Sequence, residues 1–129
     1  MENSMTPPLI AVVDYGMGNL HSVSKALAAA GGLVQVTRDA ALIDRADAVV
    51  LPGQGHFGEA MKRLEAEGLR APLAARLASN RPFLGICLGL QVLFESSEEA
   101  PDVAGFGYFP GRVRRFPTAI ENRRLTVPA

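Results

Sequence analysis

The stretch Arg81-Pro82-Phe83-Leu84-Gly85-Ile86-Cys87-Leu88-Gly89-Leu90-Gln91 sets the chain's one cysteine between two glycines, where an apolar strand gives way to a helix. A thiol at such a junction sits on a sharp turn above a sheet, beside the unpaired N–H groups that open a helix. This is the arrangement of a nucleophile elbow, with cysteine in the serine position of the G-x-S-x-G pattern. Glycines suit a strained turn packed on backbone, where Cβ atoms find no room. The same residues also fit a structural cysteine buried within a strand, since free cysteine is among the most buried residue types. The surroundings of the thiol decide between the two.

Working back from the elbow, Leu9-Ile10-Ala11-Val12-Val13 is a continuous apolar run, as expected of a strand covered on both faces. Asp14 to Asn19 reads as a loop, with Asn19 as N-cap of a helix from Leu20 to Ala30 that stops at Gly31-Gly32. Leu33 to Thr37 and Ala48 to Leu51 read as further strands, the latter broken by Pro52-Gly53-Gln54-Gly55. Helical patterning runs from about Gly58 to Glu67, pauses at Gly68 and continues to Leu77, with Pro72 near a helix start. Phe83 to Ile86 is a fourth strand, and Leu88 to about Phe94 is the elbow helix. The alternation predicts an α/β fold: a largely parallel, doubly wound sheet with helices on both faces. Such sheets carry their working loops beyond the carboxyl ends of the strands. Here these are Tyr15 to Asn19, Pro52 to Gly58, and Cys87, all expected on one crevice.

After Pro101 the texture changes to short segments punctuated by glycine and proline, with a strand expected over Gly111 to Phe116. Five arginines lie between Arg112 and Arg124 against the single acid Glu121. They read either as a solvated sheet edge guarded by charge or as a docking surface for an acidic partner. Over the whole chain, 13 basic and 13 acidic residues cancel, which gives no electrostatic case for nucleic acid or membrane as partner. The longest apolar run, Phe83 to Phe94, is too short for a bilayer and is broken by Gly85, Gly89 and Gln91. Residues 1–8 are polar and proline-rich, expected to be flexible and unlike a secretory signal. One cysteine forms no internal disulfide, so a reducing cytoplasm is expected. No metal site is expected from one cysteine and two distant histidines, and no phosphate-binding or dinucleotide fingerprint calls for a cofactor.

A thiol becomes a nucleophile when its pKa falls or a base takes its proton. A helix N-terminus favours the thiolate, and the Leu88 N–H is placed to donate to an oxyanion. Pro52-Gly53-Gln54-Gly55 suits a second donor, although alone it reads more readily as a tight strand exit. Of the histidines, His21 reads as a surface residue, and His56 stands on the correct side of the sheet to approach Cys87, as base or as bystander. Gln91, one turn past the thiol, would reach a polar substrate or is simply a polar helix residue.

Together, Asp14-Tyr15-Gly16-Met17-Gly18-Asn19-Leu20, Pro52-Gly53-Gln54-Gly55 and Gly85-Ile86-Cys87-Leu88-Gly89-Leu90-Gln91 resemble the class I (triad-type) glutamine amidotransferases. Among these, the amidotransferase subunits that serve imidazole glycerol phosphate formation in histidine biosynthesis are most similar, and Phe109-Pro110-Gly111-Arg112-Val113 shares that likeness. The resemblance covers about Leu9 to Phe116 and implies a flavodoxin-like fold. It implies that Cys87 attacks the side-chain amide of glutamine to give a glutamyl thioester and ammonia, and that water then releases glutamate. Backbone groups of Gly53 and Leu88 would shape the oxyanion hole, and Gln91 and Gly55 would contact glutamine. Gly16, Met17, Gly18 and Asn19 would face the partner, a cyclase subunit of (β/α)₈ fold that receives the ammonia in a heterodimer.

The family's histidine and glutamate from the C-terminal part have no counterpart in this sequence, which reads Val127-Pro128-Ala129 where relatives have a Val-Pro-His-like segment. The expectation is therefore that residues 9–129 form the N-terminal portion of one amidotransferase domain, with a sheet incomplete at the C-terminus. Alone, the chain would release little glutamate and would associate through uncovered apolar surface. Two other readings use the same residues: a different cysteine hydrolase on the elbow, or a non-catalytic module that only docks.

Overall fold

The structure is a computed structural model that describes residues 6–116. Its four apolar runs become β1 (Leu9–Val13), β2 (Leu33–Thr37), β3 (Ala48–Leu51) and β4 (Phe83–Gly85). These make one sheet in the order β2-β1-β3-β4, every pair parallel. The crossovers are α1 (Leu20–Ala29), α2 (Ala40–Arg45), and the pair α3 (Phe57–Ala66) and α4 (Arg70–Ala78). The chain first winds outward from β1 to β2, then returns to place β3 on the other side of β1. That reversal opens a crevice between the carboxyl ends of β1 and β3, where doubly wound sheets carry their sites.

Alternation along the strands sorts the core onto two faces. Ala11, Val13, Val49 and Leu51 pack with Ile43 of α2, Ala60, Met61 and Leu64 of α3, and Leu73 of α4. On the opposite face Val12 and Val50 are buried, and α1, which packs on β2, buries no residue of its own completely. Helices thus cover both faces, as the alternation predicts, but unequally.

Local signals hold closely at the first helix. The Asn19 side chain accepts the Ser22 N–H at 3.1 Å, and Gly31 ends the element at φ +106°. Three expectations are corrected. A six-residue helix, α2, fills the span between β2 and β3, capped by Asp39, whose carboxylate accepts the Ala41 N–H. The elbow helix does not reach Phe94: α5 (Leu88–Gln91) has four residues, and β5 (Phe94–Ser97) follows directly. The cause lies downstream, where the N–H groups of Phe106, Phe109 and Gly107 take the carbonyls of Val92, Leu93 and Phe94 and draw the chain out of the helix. The late strand is β6 (Phe109–Val113) rather than Gly111 to Phe116, and it pairs with β5 in a separate two-stranded ribbon. Expectations for residues 1–5 and 117–129, including Arg123, Arg124 and the Val127-Pro128-Ala129 segment, lie outside the described residues.

Candidate active site

The elbow exists and is built by close backbone approach. Gly89 is packed so tightly on the end of β3 that a Cβ there would run into the Leu51 carbonyl oxygen. A Cβ on Gly85 would lie 2.7 Å from the Gly89 carbonyl. The Ile86 N–H donates to the Leu51 carbonyl at 3.0 Å and holds the turn onto the same strand. Between these clamps Cys87 adopts φ +55°, a conformation that is costly for a residue with a Cβ. Its side chain is exposed. The buried-cysteine reading therefore fails, and the thiol stands where an incoming carbonyl carbon can reach it.

The three loops expected around the crevice meet. Pro52 and Gly53 are buried against the elbow, while Gln54 and Gly55 face solvent. A Cβ on Gly18 would lie 3.0 Å from the Gly53 amide nitrogen, and one on Gly55 would lie 3.0 Å from the Met17 methyl. The Tyr15 hydroxyl donates to the Pro52 carbonyl at 2.7 Å. Gly16 and Asn19 are exposed on the rim of this cluster, and Met17 and Gly18 are half-buried within it.

Three of the expected contributions behave otherwise. The Leu88 N–H already donates to the Gly53 carbonyl at 3.3 Å, so in this arrangement it is occupied. The helix that should favour a thiolate is a single turn, too short for a developed macrodipole. His56 is not poised on the thiol either. Its Nδ1 accepts the Gly58 N–H at 3.0 Å and caps α3, while His21 lies exposed on α1. Among the described residues no side chain hydrogen-bonds to Cys87.

Gln91, half-buried one turn past the thiol, lines a groove of about 510 Å³ together with Ser97, Glu98, Glu99, Arg114 and Arg115. That is ample for an amino acid. Glu98 and Arg114 form an ion pair at 3.7 Å in its wall. The sequence reading overlooked Glu99, whose carboxylate accepts the Phe57 N–H at 2.7 Å and ties the ribbon to the start of α3. Nothing in the local pattern signals a contact across 42 positions. Among the described residues no three histidine, cysteine or acidic side chains gather as for a metal ion. No helix there is long and apolar enough to cross a membrane.

An exposed thiol on a strained turn with a glycine loop beside it suits nucleophilic attack on a carbonyl carbon, and Cys87 is not among the residues that line the charged groove. Comparison with known proteins agrees with that chemistry. Residues 11–124 match the family described as glutamine amidotransferase class-I. The chain is similar to curated proteins named imidazole glycerol phosphate synthase subunit HisH. It is 55% identical over 109 residues to that of Nostoc punctiforme, covering 84% of this chain and 51% of the relative. With the Synechococcus elongatus protein it shares 58% identity over 109 residues, 84% of this chain and 50% of the other. The Thermus thermophilus protein is 52% identical over 105 residues, 81% and 53% of the two chains. The chain thus spans about half the length of the relatives it matches.

Proposed function

The chain belongs to the class I glutamine amidotransferases, and from that premise we propose that it is the thiol-bearing part of a glutaminase subunit that supplies ammonia for imidazole glycerol phosphate formation. The Cys87 sulfur attacks the side-chain amide carbon of glutamine. The thiol's proton passes to the amide nitrogen, the carbon–nitrogen bond breaks, ammonia leaves, and a glutamyl thioester remains on Cys87. Water then cleaves the thioester, which returns the thiol and releases glutamate. The developing oxyanion is met by the Leu88 N–H, once the Gly53 carbonyl has vacated it, and by the N–H groups of the Gly53–Gly55 loop. Gln91 and Gly55 contact the substrate.

In this reading the ammonia passes to a cyclase partner of (β/α)₈ fold, which docks on Gly16, Met17, Gly18 and Asn19. What supports that surface is its contact with the Pro52–Gly55 loop, which joins partner and thiol through one layer of backbone. A reducing cytoplasm suits the free thiol.

The observation that carries the reading is the exposed Cys87 at positive φ, clamped to the end of β3 beside the glycine loop. The test is exposure of the chain to 6-diazo-5-oxo-L-norleucine, a reactive glutamine analogue, with the modified residue located by mass spectrometry. One adduct on Cys87, suppressed by excess glutamine and absent from Cys87→Ser, is expected. A thiol that reacts with iodoacetamide yet ignores the analogue would falsify the assignment.

A further inference from the structure

Among the described residues, Tyr15 is the largest fully buried side chain after Arg76, with 1% of its surface exposed, and the proposed reaction gives it no task. Its ring belongs to the apolar core, and its hydroxyl reaches out of that core to the glycine loop. The hydroxyl donates to the Pro52 carbonyl at 2.7 Å, and a Cβ on the next residue, Gly53, would strike the Tyr15 phenol oxygen. The following carbonyl, that of Gly53, takes the Leu88 N–H. Two successive carbonyls of one loop are therefore held from different sides, the first by a buried phenol and the second by the elbow. A buried hydroxyl with a single good acceptor resists displacement, because moving the loop would strand it without a partner.

We propose that Tyr15 is a positioning residue for the loop beside the thiol: its phenol fixes the Pro52–Gly53 peptide, so that the next peptide, whose carbonyl takes the Leu88 N–H at rest, turns about a fixed point and presents its polar groups to the substrate carbonyl in one place. The anchoring follows from this chain's geometry alone; its catalytic meaning rests on the glutaminase reading.

Tyr15→Phe removes one oxygen and keeps the ring. In the 129-residue chain, hydrogen exchange at the Leu88 amide should accelerate about tenfold while the Val12 and Val50 amides keep their rates. Labelling of Cys87 by 6-diazo-5-oxo-L-norleucine should slow about tenfold, with iodoacetamide alkylation within about twofold of the parent. Unchanged Leu88 exchange in a folded variant overturns the proposal. So do labelling rates that both fall or both hold, which would mark a merely structural tyrosine. A parent chain inert to the glutamine analogue sinks the glutaminase reading instead, and Leu88 exchange still decides the anchor. Where the variant fails to fold, the parent's own hydroxyl proton decides: a Tyr15 O–H exchanging as fast as that of exposed Tyr108 is not anchored.

Discussion

Cys87 is one of two non-glycine residues with positive φ among the described residues. Nothing in its own side chain favours that conformation; the clamps at Gly85, Gly89 and the Leu51 carbonyl impose it. Strain of this kind costs on the order of 1–3 kcal/mol. Cys87→Gly should therefore raise the unfolding free energy by about 1 kcal/mol while removing all thiol reactivity. Denaturant titration reads this directly, and a less stable variant would mean that the elbow stores no strain. Tyr15 gives the corresponding pH effect. Burial pushes its phenol up from 10.0 to about 12, so the folded chain holds a proton that the unfolded chain has released. The stabilisation is whole below pH 10 and is lost as pH rises toward 12, with a slope of at most about 1.4 kcal/mol per pH unit. Comparing the alkaline unfolding profiles of the parent and Tyr15→Phe isolates this contribution, because the variant should lack that part of the decline.

Between elements, Arg76 does what no short-range pattern announces. It lies on α4 and is buried, with its guanidinium donating to the carbonyls of Ile43, Asp44, Ala46, Asp47 and Pro82 at 2.6–3.4 Å. One side chain thus ties the end of α2 and the start of β3 to the residue that precedes β4. Burial pulls its pKa down, with a smaller push from Arg81, and Asp44 and Asp47 oppose both. Arg76→Met keeps apolar bulk but leaves five carbonyls short of a donor, and should cost about 3 kcal/mol. Arg76→Lys should recover only part of this, since a single ammonium cannot span the fork. Equal stability of Met and parent in thermal unfolding would refute the hub. In sequence Arg76 passes for an ordinary exposed helix charge, and this marks where sequence reading stops. The strands, the Asn19 cap and the meeting of Tyr15–Asn19, Pro52–Gly55 and Cys87 were legible, because apolar runs and glycine punctuation encode them and parallel sheets gather such loops at one end. The six residues of α2 are too few to show a period. The early end of α5, the capping role of His56 and the bond from Leu88 to Gly53 depend on partners that local patterning does not specify.

At the scale of the molecule, one row of side chains across the sheet records how the layers cover it. Val36, Val12, Val50 and Leu84 stand in register from edge to edge, exposed by 46%, 0%, 3% and 50% respectively. The centre of this face is covered and both margins stand open. At the β4 margin the uncovered Leu84 belongs to a strand with no further partner in the described sheet, and Leu90, just past the elbow, is 45% exposed. An apolar flank beside free strand hydrogen-bonding groups is a template for another chain. The lysines and prolines that usually guard an edge are absent from Phe83-Leu84-Gly85. The chain should therefore self-associate at micromolar concentration through β4, and Leu84→Lys should shift it toward monomer by placing a charge where two copies would meet. Leu33→Lys, on the opposite edge strand, should have a smaller effect if β4 is the surface used. Sedimentation velocity across a dilution series distinguishes the cases. A parent chain that remains monomeric throughout, or one dispersed equally by both substitutions, would show that β4 is not the associating edge.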